Sequence, residues 1–390
     1  MLTFSKEEFQ LRVKKVKEKM EERGIEVLLI TDPANMNYVS GYNAWSFYVH
    51  QMVAVFLDEE EPVWIGRFMD AIAARKTAWL KHENIVGYSD NYVQSNVRHP
   101  MDYVADVLKE RGQGNKRIAV EMDNYYFTAQ CFESLKKGLP NATFEDANHL
   151  VNWIKVIKSD AEIEYMKRAG KIMTKGMTDA INYLNVGVRK CDMAAEIYRT
   201  FTSGTEEFGG DYASIVPLMP TGIDAGACHL TWTDEKYKDG DIVIFELAGC
   251  YRRYHSPMSR TISLGKPSPK LEETAKITIE GLNKVLDFIK PGVTAEEAEA
   301  VWANNLKKYG LFKESRIGYS TGLNYPPDWG EHTISVRPGD KTVLQPNMTL
   351  HIIPGMYFED FGVEISDAIR VTETGCETLA NVERKLFIKE

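Results

Sequence analysis

No window of this 390-residue chain approaches the roughly 18 uninterrupted apolar residues that a membrane-spanning helix needs. The opening decapeptide, MLTFSKEEFQ, lacks the apolar stretch of a secretory leader. Cysteine is scarce and scattered: Cys131, Cys191, Cys228, Cys250 and Cys376 are odd in number and form no CxxC pair. Their pattern argues against a disulfide framework and against a thiolate zinc site, and predicts a reducing, cytoplasmic setting. Basic excess is also missing. With 47 Lys and Arg against 56 Asp and Glu, the net charge of −9 gives no electrostatic reason to expect nucleic acid. Neither nucleic acid nor membrane is therefore expected as a partner. There is no low-complexity tract and no short repeat.

What remains is a globular composition, 44% hydrophobic and 26% charged, long enough for two domains. Ser5 to Arg23 carries Phe9, Val13, Val16 and Met20 at helical spacing behind Ser-Lys-Glu-Glu, which predicts an N-capped amphipathic helix. Val27 to Ile30 then reads as a buried strand, Met52 to Leu57 and Val63 to Ile65 as a hairpin, and Ile118 to Val120 as another strand. Strands alternating with helices make this half α/β. Between them the loop-like SGYNAWSFYVHQ concentrates Trp45, Phe47, Tyr48 and His50, either as core or as part of a site.

Ser159-Asp160-Ala161-Glu162 is a capping box that opens a long helix through about Leu184. It sets the domain boundary at 1–157 and 158–390. Beyond it come paired helices and strands, with strands at Ile215 to Leu218, Thr349 to Ile353 and Gly362 to Val371, and a helical pair broken at Pro291-Gly292. This order predicts an α+β domain with a curved antiparallel sheet. Helix pair followed by strands occurs twice, which suggests an internal duplication.

Asp241 to Thr261 reads as a β-hairpin turning at Gly249. Its first strand, Ile242-Val243-Ile244-Phe245, ends on Glu246. A carboxylate on so apolar a strand must be paired, neutralised or used for chemistry. Glu364 lies two residues before Ser366 on the last strand, so period-two alternation turns both to one face. Glu331, Asp360 and His255 are further polar candidates beside these segments.

Four segments, Gly240 to Thr261, Gly318 to Leu323, Met348 to Tyr357 and Gly362 to Thr372, resemble the pita-bread fold of the methionine aminopeptidase, prolidase and creatinase family. DPANMNYVSGY at 32–42 likewise resembles the N-terminal domain of prolidase and creatinase. Together they imply an α+β chain with a C-terminal pita-bread domain and an N-terminal α/β domain of creatinase type. Metallopeptidases of this family hold paired metal ions with two Asp, one His and two Glu. By register those positions fall on Glu246, Pro257, Tyr319, Ile353 and Ser366. Proline and isoleucine cannot ligate a metal, so a metal-independent enzyme without cofactor is expected.

More narrowly, GYNAWSFYVHQ, EMDNYYF, GGDYASIVPLMPTG, HLTW, AGCYRRYH, YPPDWGE and ETLANV resemble the ectoine-hydrolase branch of the family. That resemblance implies hydrolysis of a cyclic amidine, ectoine or also hydroxyectoine, to an N-acetyl-2,4-diaminobutyrate. It implies Glu246 as nucleophile or as the group that orients water, His229 as proton carrier, and Arg337 as holder of the substrate carboxylate. Tyr319, Tyr325 and Trp329 would wall the cation, with Glu331, Asp360, Glu364 and His255 around them. Creatinase-like dimers close the site of one subunit with the N-terminal domain of the other. By that analogy a homodimer is expected, with Trp45, Phe47, Tyr48 and His50 reaching the partner's pocket, and a deacetylase as a further partner. The residues alone leave open a metal-dependent Xaa-Pro peptidase, a creatinase-type amidinohydrolase and a non-catalytic binding protein.

Overall fold

The computed structural model describes residues 2–390, which divide into one compact unit up to Lys155 and a second over Val156–Glu390. In the first, the helix expected after Ser5 is α1 (Lys6–Arg23). The Ser5 hydroxyl accepts from the Glu8 N–H at 3.2 Å, and Gly24, at φ 67°, ends the helix. Six strands, β1 (Val27–Ile30), β2 (Met52–Phe56), β3 (Val63–Arg67), β4 (Ile85–Tyr88), β5 (Arg117–Val120) and β6 (Thr143–Asp146), form one sheet in the order β4-β3-β2-β1-β5-β6. Antiparallel pairing is confined to β1–β2 and β2–β3, and the other neighbours are parallel. Helices α2 (Pro33–Ser40), α3 (Ala71–Thr77), α4 (Pro100–Glu110), α5 (Ala129–Gly138) and α6 (Leu150–Lys155) complete the unit. Val27, Leu29, Ala54, Ile118 and Leu135 share a buried cluster. Burying such apolar side chains is worth roughly 1.5–3 kcal/mol each.

The second unit begins with α7 (Asp160–Tyr183), capped reciprocally by Ser159 and Glu162 as the capping box predicts, and α8 (Lys190–Ser203). The hairpin follows as β7 (Ile242–Tyr251) and β8 (Tyr254–Leu264). Its turn is not at Gly249 but at Arg252-Arg253, both left-handed at φ 48° and 70°. Gly249 lies inside β7 because α7 crosses there: a Cβ on it would stand 2.1 Å from the Ala169 carbonyl oxygen. Arg253 accepts its backbone strain because its guanidinium is fully used. It donates to the Asn324 carbonyl at 2.9 and 3.2 Å and to Ser214 Oγ at 3.1 Å, between the rings of Tyr212 and Tyr325.

A second helical pair, α9 (Pro269–Phe288) and α10 (Ala295–Lys307), precedes β9 (Gly318–Thr321), β10 (Gly330–Ser335), β11 (Thr349–Ile352), β12 (Met356–Tyr357), β13 (Gly362–Val363), β14 (Ser366–Val371), β15 (Cys376–Thr378) and β16 (Phe387–Lys389). The large sheet runs β10-β9-β11-β14-β8-β16, with β7 on β8 and β15 on β14, and is antiparallel except at β8–β16. Residues 215–218 form no strand; Leu218 makes only a bridge to Glu246. The strand expected over 362–371 is broken at Glu364-Ile365, where the Glu364 N–H bonds the Thr261 hydroxyl at 2.8 Å instead of continuing the ladder. Among the described residues, no helix is long and apolar enough to cross a membrane.

Candidate active site

Three neighbouring strands of the large sheet, β9, β11 and β14, and both strands of the hairpin bring the chemistry together. Glu246 sits on β7 opposite Ser259 of β8, and Ser259 is itself opposite Ser366 of β14. His351 on β11 faces Tyr319 on β9. Glu364, in the break before β14, points into the same region.

Glu246 is buried, and no described residue hydrogen-bonds its carboxyl. Burial, then the charges of Glu364 and Asp328, raise its pKa well above the ordinary carboxylate range. Glu364 is also buried, and burial raises it too, but Tyr357, Ser259 and Lys313 offset part of that rise. The Tyr357 hydroxyl donates directly to Glu364 Oε2. The two acids share one low-dielectric place, and the Tyr357 hydrogen bond supports charge on Glu364.

Beside them runs a closed hydrogen-bond chain. Trp329 Nε1 donates to Tyr319 Oη at 2.8 Å, His351 Nδ1 lies 2.9 Å from that oxygen, and His351 Nε2 lies 2.7 Å from Ser366 Oγ, which accepts from the Ser259 N–H at 2.7 Å. Burial, and then Arg316, lower His351 to about 3, so the imidazole is neutral. A neutral ring has one donor and one acceptor nitrogen, so one hydroxyl gives it a proton and the other receives one. At the rim, Arg316 stacks 4.5 Å over the Tyr319 ring, and Lys313 reaches the Gly355 carbonyl at 2.6 Å and lies over the Tyr357 ring. Burial pushes Asp328 up, but His332 and the Gly330 N–H outweigh it and hold the carboxyl below its usual value. Cys228 feels both Glu364 and Glu246.

Of the residues singled out from sequence, Glu246, Glu364, Tyr319 and Trp329 come together here. The others do not. Arg337 is exposed in the turn after β10, and Arg316 stands where a basic group meets the site. His229 is exposed one residue beyond Cys228. His255 is a buried structural group whose Nε2 bonds Ser214, at 3.0 Å from both its N–H and its hydroxyl. Tyr325 packs on Arg253. Glu331 closes a 2.6 Å ion pair with Lys158, both side chains fully buried. Asp360 is exposed and faces Lys270 at 3.7 Å. In the first unit, Trp45 and Tyr48 are 59% and 65% exposed, whereas Phe47 packs on Trp45 and Tyr126 and the His50 ring turns to His99.

Sequence reasoning missed His351, Tyr357, Lys313, Arg316 and Asp328. Alternation along Thr349 to Ile353 was a usable signal for His351, because it shares a face with position 353.

Comparison with known proteins gives matches to "Metallopeptidase family M24" over residues 164–373 and to "Creatinase/Prolidase N-terminal domain" over 12–157. The chain is 48% identical over 396 residues to "Ectoine hydrolase" of Halomonas elongata, covering all of this chain and 99% of that protein. It is 42% identical to an uncharacterised hydrolase/peptidase of Sinorhizobium fredii, with both chains fully covered. The crystal structure of the dipeptidase PepE from Mycobacterium ulcerans superposes with a TM-score of 0.82 at 22% identity, covering 99% of each chain, so the second unit has the pita-bread fold.

The donor set does not fit the paired metal ions of the metallopeptidases. Pro257 and Ile353 offer no donor side chain, and Tyr319 and Ser366 are hydroxyls already tied to His351. Both His351 nitrogens are themselves occupied, so the histidine does not replace a lost ligand.

Proposed function

The chain belongs to the M24 family, with a creatinase/prolidase N-terminal domain, and from that premise we propose that it is a hydrolase opening the amidine ring of ectoine, without a metal. The product would be an N-acetyl-2,4-diaminobutyrate. The observation that carries this reading is Glu246: a buried, hydrogen-bond-free acid beside a second carboxyl, at family positions that have lost their metal ligands.

A cation is the missing complement. An amidinium entering between Glu246 and the Glu364–Tyr357 pair supplies the positive charge both acids lack, and binding stabilises Glu246 as carboxylate. Tyr319, its hydroxyl held by the buried Trp329, offers a ring face to the planar cation. Glu246 then takes a proton from water as its oxygen bonds to the amidinium carbon. The tetrahedral adduct collapses as Glu246 returns that proton to one ring nitrogen, the C–N bond breaks, and an amide and an amine remain. Atoms balance as one water added per ring opened. Arg316 takes the substrate carboxylate in place of Arg337. His229, on the loop that brings Cys228 to the acids, exchanges protons with solvent.

In the same reading the exposed Trp45 and Tyr48 suit a homodimer in which one subunit's first domain closes the partner's site. Five free thiols suit a reducing, cytoplasmic setting. Removing the product's acetyl group requires a separate deacetylase.

Proton NMR of ectoine with purified, chelator-treated protein tests the proposal. Replacement of the ring-methyl signal by an acetyl signal supports it. No conversion, with cleavage of a Xaa-Pro dipeptide on adding manganese or cobalt, overturns it.

A further inference from the structure

We propose that His50, His99 and Cys131 form a metal-binding site in the first unit, for a single zinc-like ion. No spacing motif joins these residues, and the missing CxxC hides the site from sequence. The fold gathers them from the loop before β2, the N-cap of α4 and the first turn of α5. One ligand atom from each lies within 4.8 Å of the others.

Cys131 Sγ is 3.5 Å from His50 Nδ1 and 3.9 Å from its Nε2. Zinc bonds of about 2.0–2.1 Å to nitrogen and 2.3 Å to sulfur, at a tetrahedral angle, place the two ligand atoms about 3.5 Å apart. The Cys–His edge already has that length. The two imidazoles lie side by side, with ring centroids 4.9 Å apart.

Each ligand is prepared in its own way. The Tyr126 carbonyl takes one His50 N–H, which fixes the tautomer and frees the other nitrogen. Cys131 stands at the third position of α5, its N–H on Thr128 Oγ1 at 3.3 Å; burial raises its thiol, so the proton leaves only as the ion takes its place on sulfur. His99 has to change. Its Nδ1 now accepts from the Met101 N–H at 3.1 Å, which places its proton on Nε2. Coordination through Nε2 moves that proton to Nδ1 and releases the Met101 N–H. The balance is one proton lost to solvent, from the Cys131 thiol, and one capping bond exchanged for metal–ligand bonds. A recess of about 160 Å³, lined by His50, His99, Tyr48, Tyr92 and Arg98, leaves room for a solvent ligand in the fourth position. One sulfur and two imidazole nitrogens select zinc or another soft first-row ion over magnesium or calcium.

Cobalt(II) titration of the reduced, chelator-stripped full chain reads the site without reference to hydrolysis. The expected result is a thiolate-to-cobalt charge-transfer band that saturates at one ion per chain and is bleached by zinc. It is lost in Cys131→Ser and weakened several-fold in His50→Gln, with both variants shown to be folded by circular dichroism. The band survives in Cys228→Ser, the control for a thiol beside the hydrolytic acids. Hydrogen exchange at the Met101 amide accelerates on binding, as its acceptor is withdrawn. Absence of the band in the wild type, its undiminished strength in folded His50→Gln, or its survival in folded Cys131→Ser overturns the proposal.

Discussion

Replacing Glu246 by glutamine separates what this side chain does for chemistry from what it does to the fold. The two effects have opposite signs. Glutamine cannot cycle a proton between water and a leaving nitrogen, and positioned general acid–base groups contribute about 10²–10⁴-fold in rate. It also removes the charge that balances the amidinium, so kcat on ectoine falls by at least that range. Stability moves the other way. Burial and Glu364 raise the pKa of Glu246 in the folded state above its unfolded value. The folded chain therefore holds this proton more tightly than the unfolded chain. Its ionisation costs stability progressively as pH rises from the unfolded pKa to the folded one, and the cost is complete above the latter. Each unit of upward shift is worth about 1.4 kcal/mol. Glu246→Gln never ionises, so its thermal midpoint equals that of the wild type in mild acid and exceeds it increasingly towards neutral pH. A gain of roughly 2–4 °C per kcal/mol is expected for a domain of this size. Differential scanning fluorimetry across pH, run beside the NMR turnover assay, measures both. Retained turnover removes Glu246 from the mechanism; lower stability at neutral pH refutes the account of an uncompensated buried acid.

Tyr357→Phe leaves Glu364 Oε2 without its donor, and a buried polar group so orphaned costs about 1–3 kcal/mol; denaturant melts should show that loss together with a reduced kcat. Glu331→Gln breaks the buried pair with Lys158, at about 3–5 kcal/mol, but leaves the KM for ectoine unchanged; a raised KM in the folded variant would return Glu331 to the substrate.

The architecture was legible where local signals and packing agree. Ser5 and the Ser159–Glu162 box announced their helices because capping is a short-range event that needs no tertiary partner. The hairpin was legible as a pair of strands but not at its turn. Glycine usually marks a turn, and here Gly249 was needed for the passage of α7, while two arginines held by distant partners adopt the left-handed conformation. The site divides in the same manner. Glu246 stood out because an acid in an apolar strand is anomalous within a few residues. His351, Tyr357 and Arg316 acquire meaning only from neighbours on other strands. Glu331 and His255 misled for the converse reason: each looked unpaired in sequence, and its partner, Lys158 or Ser214, lies far along the chain.

The Tyr319–His351–Ser366 chain also bears on the evolutionary traffic between metal-dependent and metal-free chemistry in this fold. Returning this chain to a two-ion site needs new ligands at four positions, Pro257, Tyr319, Ile353 and Ser366. Placing a carboxylate at Pro257 or Ile353 alone adds another buried negative charge near Glu246 and Glu364 before any cation can be held. Changing Tyr319 or Ser366 alone strips a partner from a buried imidazole. Each single change therefore costs stability before it gains a ligand, so small hydroxyls and one neutral ring stand against a two-ion site here.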